Sequence, residues 1–136
     1  SDSELWLDGG HNPAAGDMLA DTLASFEERS PKPTYLIVGM MGQKDALGFL
    51  APFRGLVRML YTVPIPGAHE APHSEENLAE IARSAGLNAV ARGGIIAALE
   101  TISELPQGDK RVMICGSLYL AGHVLALQEG TTAQSN

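Results

Sequence analysis

An acid, a histidine and a helix-start signal follow the first apolar run of the chain. Asp8 comes directly after this run, which is predicted to be a strand, and His11 follows two glycines. Asn12 and Pro13 are typical of a helix N-cap and a first helical position. Ligands of open α/β sheets bind where strands end, and a helix N-terminus suits phosphate. The pattern favours a site in which Asp8 accepts from a ribose diol near a phosphate at His11. A turn-capping acid beside a solvated histidine would look the same.

Two later strand ends also carry polar side chains. Ser117 follows the last apolar run and Gly116, and its hydroxyl can donate to a carboxylate or phosphate. A plain N-cap is the commoner role of such a serine. Lys44 and Asp45 lie in the loop after the second apolar run, where a lysine can bind an anionic substrate. A solvated loop pair is the default interpretation there.

His69 and His73 match the H-E-x-x-H zinc pattern, but we do not predict a metal site. That pattern needs a helix so that both histidines reach one metal. Pro72 disfavours the helical conformation of the residue before it and clashes inside a helix, so this segment is predicted to be a loop. Cys115 is interpreted as a small core residue, and His123 as a surface residue of a helix.

Apolar spacing predicts helices and strands that alternate along the chain. The predicted strands cover 5–7, 35–38, 57–63, 89–91 and 111–115. The predicted helices cover 13–28, 46–53, a segment from Ser74 to Gly86, 95–102 and 118–128. The helix residues expected to face the core include Met18, Leu19, Leu23, Phe26, Leu47, Leu50, Leu78, Ile81, Ala82, Leu118 and Leu125.

This alternation predicts an α/β fold, a Rossmann-like three-layer sandwich in which helices cover both faces of a mostly parallel sheet. Because crossovers are right-handed, all strands then end at one edge of the sheet. We call it the carboxyl edge, and it holds the loops 8–12, 39–45, 64–73 and 116–117. The polar residues of interest are therefore expected to lie close together.

Composition narrows the function classes. The length of 136 residues fits one domain, predicted over 1–129, with a small polar and flexible tail over 130–136. A net charge of -7 without a basic run argues against nucleic-acid or anionic-membrane partners. The single cysteine and the lack of a signal or an apolar run of ~20 residues favour a cytoplasmic protein, which we expect to be monomeric. The start on a strand suggests a piece cut from a longer protein at a linker.

Two nucleotide-binding signatures are missing from the sequence. Neither the G-x-x-x-x-G-K-[ST] phosphate loop nor the G-x-G-x-x-G dinucleotide fingerprint occurs. Nothing in the chain is therefore predicted to enclose a triphosphate, although contacts with part of a nucleotide fit the carboxyl edge.

Three segments, in matching order and spacing, resemble the C-terminal domain of Mur-type amide ligases. Residues 8–13, D-G-G-H-N-P, resemble the D-G-A-H-N-P signature of that superfamily. Residues 116–122, G-S-L-Y-L-A-G, resemble one branch, folylpolyglutamate synthase, which is often bifunctional with dihydrofolate synthase. The Lys44–Asp45 pair is similar to the K-D loop of the same branch. Alanine, aspartate and glutamate are commoner in the family where this chain has Gly10, Gln43 and His123.

The resemblance implies an ATP-dependent ligase that adds L-glutamate to dihydropteroate or a folate. ATP would phosphorylate a carboxylate, and the amine of glutamate would attack the acyl phosphate to give an amide and ADP. A larger preceding domain would hold the phosphate loop, the pterin and most of the Mg²⁺ contacts. On the matching positions, Asp8, His11 and Asn12 would bind ATP, and Ser117 and Lys44 would bind glutamate. No catalytic residue is expected within this domain alone.

Two other functions stay open at this point. The chain could belong to a Mur ligase that extends a peptidoglycan precursor, or be a non-catalytic Rossmann-like nucleotide-binding module. A receiver domain is disfavoured, because Thr62, Val63 and Pro64 end the third strand without a phosphoacceptor aspartate. We predict that the isolated domain is inactive, since ligation through an acyl phosphate requires a closed site that excludes water.

Overall fold

A computed structural model describes residues 2–68, 71–106 and 108–135. Within these ranges the strands are β1 Glu4–Leu7, β2 Thr34–Val38, β3 Met59–Thr62, β4 Ala89–Ala91 and β5 Arg111–Cys115. The α-helices are α1 Pro13–Arg29, α2 Ala46–Leu50, α3 Glu75–Ser84, α4 Ile95–Ser103 and α5 Leu118–Ser135. A single 3₁₀ turn, Ala51–Phe53, follows α2. Strands and helices therefore alternate as the sequence predicts.

The strands form one parallel sheet in the order β1-β5-β2-β3-β4. Helices α1, α2 and α3 pack on one face, and α4 and α5 on the other. Every residue of β2 and β5 is buried, as expected for central parallel strands covered on both faces. The predicted three-layer α/β sandwich is confirmed.

Alternate residues of the central strands β2 and β5 pack into two separate hydrophobic cores, one on each face of the sheet. Leu36 and Val38 face the layer of α1 to α3, where they meet Phe49. Tyr35 and Ile37 point to the opposite layer, because successive strand side chains alternate between faces. The two cores hold the strand ends rigidly beneath the carboxyl edge.

Some helix residues that the spacing places on the core side are exposed. The structure confirms the burial of Leu19, Leu23, Leu50, Leu78 and Ala82, with Phe26 and Ile81 partly buried. The prediction is wrong for Met18, Leu47, Leu118 and Leu125. Neighbouring helical residues lie about 100° apart around the axis, so Met18 and Leu47 point away from the core although the residues next to them, Leu19 and Ala46, are buried. In α5 the contacts with the core come from Leu120 and Val124 instead.

Three predicted element ends also differ from the structure. The helix predicted over 46–53 becomes 3₁₀ after Leu50, because Pro52 has no N–H for an α-helical bond. Strand β3 is shorter than the predicted 57–63, since its ladder with β2 begins at Met59. Helix α5 runs to Ser135, past the predicted end at 128. The flexibility of 130–136 stays a prediction.

His69 and Glu70 of the rejected zinc pattern lie outside the described residues. In the part of the chain that is described, no three His, Cys, Asp or Glu side chains converge as a metal site. No described helix has both the length and the apolar character needed to cross a membrane.

The opposite edge of the sheet, where the strands begin, holds a group of paired charges that the sequence analysis does not identify. We call it the amino-edge cluster, and it consists of Glu4, Glu27, Lys32 and Arg111. The Arg111 side chain is 1% exposed, and its Nε donates to Glu4 at 3.1 Å. A second nitrogen contacts Glu27 at 3.4 Å, and a third donates to the Ser30 carbonyl at 2.7 Å. The sequence signal for this cluster is the charged residue Arg111 at the first position of the buried strand β5.

The Glu4 carboxylate accepts several hydrogen bonds within this cluster, and they shift its pKa. Its carboxylate accepts from Lys32, from the Trp6 indole at 3.0 Å and from Arg111. These hydrogen bonds, that from Lys32 above all, lower the pKa of Glu4 to about 2. The Arg111 guanidinium also lies 5.4 Å from the centre of the Phe26 ring. The cluster therefore ties β1 and β5 to the last turns of α1 and to the segment before β2.

Candidate functional site

The loop between β1 and α1 is fixed by its own carboxylate and by β5. Asp8 Oδ1 accepts from the Gly10 N–H at 2.7 Å, which closes a tight turn. The Asp8 N–H donates to the Ile114 carbonyl at 2.9 Å, and the Gly116 N–H donates to the Gly10 carbonyl at 3.0 Å. The turn-capping role of Asp8 is therefore present, and Oδ1 is the oxygen engaged in it. Among the described residues, none forms a hydrogen bond with its second oxygen, Oδ2.

His11 has a defined tautomer within this loop. Its Nδ1 lies 2.9 Å from the Gly9 carbonyl, and because a carbonyl only accepts, Nδ1 carries the proton. The imidazole therefore offers Nε2 to the cavity described below. Asn12 caps α1 as predicted, since its Oδ1 accepts from the Ala15 N–H at 2.9 Å. Asn12 itself is exposed.

Ser117 caps α5 at the end of β5. Its Oγ accepts from the N–H groups of Tyr119 at 3.0 Å and Leu120 at 3.3 Å. The residue is 2% exposed, and its hydroxyl proton is left to donate. The predicted capping role and a donor role towards a ligand are thus compatible in one side chain.

Gly116 allows β5 and β2 to approach each other below this serine. Its φ is +105°, and a Cβ there would lie 2.6 Å from the Gly39 carbonyl oxygen. Only glycine tolerates both conditions. A Cβ on Gly9 would likewise overlap the Leu118 side chain, which lies across that residue. Gly116 therefore lets the end of β5 approach the end of β2, and Gly9 lets the β1 loop approach the start of α5.

Lys44 lies in a short turn before α2. Its N–H donates to the Met41 carbonyl at 3.1 Å, and the next residue, Asp45, caps α2 by accepting from Gly48 at 2.9 Å. Among the residues that the structure describes, the Lys44 ammonium makes no ion pair. The residue is half-buried.

A cavity of about 260 Å³ opens between these loops at the carboxyl edge. It brings together the three predicted site residues His11, Lys44 and Ser117. Asp8 and Asn12 lie on the same edge but do not line this cavity. The rest of the lining has no predicted binding role, although its members belong to the predicted edge loops or follow Ser117 in the chain: Met41, Gln43, Gly116, Leu118 and Tyr119.

The arrangement is suited to binding an anion rather than to nucleophilic catalysis. An imidazole, an ammonium group and a hydroxyl face one cavity beside the N-termini of α1 and α5. Cys115, close by in the chain, is buried, and burial raises the pKa of its thiol, so it is no nucleophile at neutral pH. The interpretation of Cys115 as a core residue is confirmed.

Comparison with known proteins identifies the family. Residues 1–127 match the family described as dihydrofolate synthetase, C-terminal domain. The chain belongs to this family. It is 25% identical over 119 residues to the dihydrofolate synthase/folylpolyglutamate synthase of Escherichia coli (strain K12). The aligned region covers 88% of this chain and 26% of that protein. The chain thus spans about a quarter of the curated relative, and the resemblance noted in the sequence is confirmed.

Solved structures of the family share the fold of this chain. Escherichia coli FolC in complex with DHPP and ADP matches with a TM-score of 0.77 and 24% identity, over 96% of this chain and 30% of that one. A bifunctional folylpolyglutamate synthase/dihydrofolate synthase from Yersinia pestis, complexed with AMPPNP and a Mn ion, matches with a TM-score of 0.77 and 28% identity, over 94% of this chain and 30% of that one. Mycobacterium tuberculosis folylpolyglutamate synthase complexed with ADP matches with a TM-score of 0.76 and 22% identity, over 90% of this chain and 29% of that one.

Proposed function

We propose that this chain is the C-terminal domain of an ATP-dependent ligase that adds L-glutamate to dihydropteroate or to folates through an acyl phosphate. The observation that carries the proposal is the convergence of His11, Lys44 and Ser117 on one cavity in a chain of the dihydrofolate synthetase family. The protein would act as a monomer in the cytoplasm, in keeping with its acidic charge and single cysteine.

The nucleotide contacts would come from the β1–α1 loop. Asp8 would accept from the ribose hydroxyls through Oδ2, while Oδ1 keeps its bond to Gly10. His11 would lie near a phosphate with the ring edge that carries Nε2, while Nδ1 keeps its bond to the Gly9 carbonyl. Asn12 would add its amide N–H₂ group beside the N-terminus of α1, where an anion is favoured.

The glutamate contacts would come from the other side of the cavity. The Ser117 hydroxyl would donate to a carboxylate of glutamate, since its lone pairs already accept from the α5 backbone. Lys44 would place its ammonium against the same negative charge. Removal of either group would therefore weaken glutamate binding more than ATP binding.

Mg²⁺ and the reacting phosphates would be held mainly by a preceding domain. The described residues offer no cluster of metal ligands, and the sequence has no phosphate loop. The matched structures are more than three times longer than the part this chain covers, and one was solved with a Mn ion. The pterin substrate would also bind in that domain.

Closure of this domain over the cleft would complete the site. An acyl phosphate is destroyed by water, so a ligase must exclude solvent before the amine attacks. The 136-residue chain presents an open edge and would bind only its share of each ligand. We therefore expect it to have no ligase activity alone, and measurable glutamate-dependent ATP hydrolysis by this chain would refute that expectation.

The first test is calorimetric titration of the chain with ADP, ATP and L-glutamate. Weak nucleotide binding that is lost in Asp8→Ala supports the proposed half-site, and Asp8→Asn is the matched control because it keeps the acceptor for Gly10. If the isolated chain binds nothing, the same variants are measured in the full-length ligase. Nucleotide affinity that Asp8→Ala leaves unchanged there would contradict the proposed contact.

Substrate choice is tested separately. The full-length protein should hydrolyse ATP with dihydropteroate or a folate in the presence of glutamate. A peptidoglycan Mur ligase would instead use a uridine-linked precursor, and no feature of this structure favours that substrate. Turnover only with the uridine-linked precursor would overturn the folate assignment.

A further inference from the structure

The loop after β3 is bound to the loop that carries Lys44. The Gly42 N–H donates to the Ala71 carbonyl at 3.0 Å, and the His73 N–H donates to the Met40 carbonyl at 2.8 Å. Met41 and Pro72 face each other as an isolated antiparallel bridge between these two bonds. Two loops from neighbouring strands are therefore joined by backbone contacts at the carboxyl edge.

Pro72 fits this bridge because of its register. The two hydrogen bonds are made by the residues that flank Met41 and Pro72. The bridge therefore needs no backbone N–H at Pro72, and proline has none. A Cβ on Gly42 would lie 2.8 Å from the Ala71 carbonyl oxygen, so glycine permits the close approach on the other side. Both residue types thus suit the contact.

The His73 side chain extends the contact to Lys44 itself. Its Nε2 lies 3.4 Å from the Lys44 carbonyl, and since a carbonyl only accepts, Nε2 carries the proton. Its Nδ1 then accepts from the Asn77 side-chain amide at 3.4 Å. One neutral tautomer satisfies both contacts, so the ring links the first turn of α3 to the Lys44 backbone.

We propose that His73 is a positioning residue for Lys44, which it holds by its carbonyl so that the ammonium reaches the anion-binding cavity. The proposal rests on the proposed role of Lys44 in glutamate binding. Lys44 is fixed on three sides, by the turn to Met41, by His73 and by the Asp45 cap of α2. Fixing the backbone in advance lessens the loop-ordering entropy that is lost when a ligand binds.

The effect should fall on glutamate affinity. Both His73 contacts are long, so each is worth less than an average hydrogen bond. In the full-length ligase we expect His73→Ala to raise the KM for glutamate about two- to tenfold, with kcat and the KM for ATP little changed. His73→Gln should restore most of the affinity, because its amide N–H can donate to the Lys44 carbonyl.

His123→Ala is the matched control, since this histidine lies on α5 and does not line the cavity. Labelling with ¹⁵N-histidine should show the neutral ring of His73 protonated on Nε2, with its signal assigned by its loss in His73→Gln. A protonated Nδ1 in the neutral ring would overturn the contact. Gly42→Ala, which disrupts the bridge, should raise the same KM.

The variants separate the two proposals. If Lys44→Ala raises the KM for glutamate and His73→Ala does not, the positioning role of His73 is wrong and the proposed function stands. If Lys44→Ala leaves that KM unchanged, the glutamate role of Lys44 fails, and the positioning proposal fails with it.

Discussion

The two edges of the sheet use charged and polar side chains in opposite ways. In the amino-edge cluster, Arg111 is 1% exposed, and its guanidinium donates to Glu4, Glu27 and the backbone. At the carboxyl edge, the Lys44 ammonium makes no ion pair with any described residue, and the hydroxyl proton of Ser117 is available. Paired groups join the elements together, whereas groups left with unused donors can bind a ligand.

The difference extends to what fixes each edge. At the amino edge, ion pairs add to backbone bonds such as that from Arg111 to the Pro33 carbonyl. At the carboxyl edge, backbone bonds such as Gly116 to Gly10 and His73 to Met40 join the loops, and no ion pair among the described residues does so. The Lys44 ammonium and the Ser117 hydroxyl proton are therefore not used to hold this edge. Rigid loops with uncommitted side chains are what a preorganised binding site requires.

Loss of the central arginine should have the largest effect on stability. Arg111→Met removes the partner of Glu4 and Glu27 and leaves the Ser30 carbonyl without its donor. We expect the free energy of unfolding to fall by about 2–3 kcal/mol in urea denaturation, because charge-assisted hydrogen bonds are lost while the two acids left behind are partly exposed. A loss below about 1 kcal/mol would mean that the cluster contributes little to stability.

A methyl group at the β5 strand end should have the next largest effect. Gly116→Ala forces an L residue to φ +105° and places its Cβ against the Gly39 carbonyl. We expect a loss of about 1–3 kcal/mol in the free energy of unfolding, measured by urea denaturation. Gly122→Ala is the control, because it lies inside α5 with open space around it and should stabilise the helix slightly. Equal effects of the two changes would contradict the strand-end requirement.

Ser117→Ala should affect both stability and binding. Loss of the α5 cap should cost about 1 kcal/mol of unfolding free energy. The KM of the full-length ligase for glutamate should also rise, because the hydroxyl donor is gone. Ser74→Ala removes the equivalent cap of α3, which accepts from Asn77 at 3.1 Å, without touching the cavity. If both variants lose stability but neither changes that KM, Ser117 is only a cap.

The smallest effect should be a pH dependence from the amino-edge cluster. The pKa of Glu4 is lowered to about 2 in the folded protein, so its contribution to stability is complete above its ordinary pKa near 4.5. This contribution is lost as the pH falls from there towards 2. Urea midpoints measured across this range should fall less steeply for Glu4→Gln than for the unchanged chain, and identical slopes would contradict the assignment.

The sequence predicts the fold and much of the carboxyl edge, because both depend on local patterns. Apolar runs that end in Asp8 or Gly116 mark strand ends, and parallel topology brings those ends together. The Asn12 cap follows from residue type alone. These features need no knowledge of which helix face packs where.

The features that the sequence does not predict depend on distant contacts. Arg111 and Glu4 lie 107 residues apart in the chain, and their pairing follows only once β1 and β5 are neighbours. The exposure of Leu118 depends on how α5 crosses the sheet, and the contact of His73 with Lys44 on how two loops meet. Such pairings leave no periodic signal in one sequence.

The central claim is that the carboxyl edge binds nucleotide and the amino edge does not. It is tested most directly by the KM for ATP of the full-length ligase in two carboxylate deletions, Asp8→Ala and Glu27→Ala. Glu27 is the matched control because it is a half-exposed acid that belongs to the amino-edge cluster. We expect Asp8→Ala to raise this KM about tenfold or more, as for loss of a charged hydrogen bond, and Glu27→Ala to leave it unchanged. Equal KM values for the two variants would contradict the account.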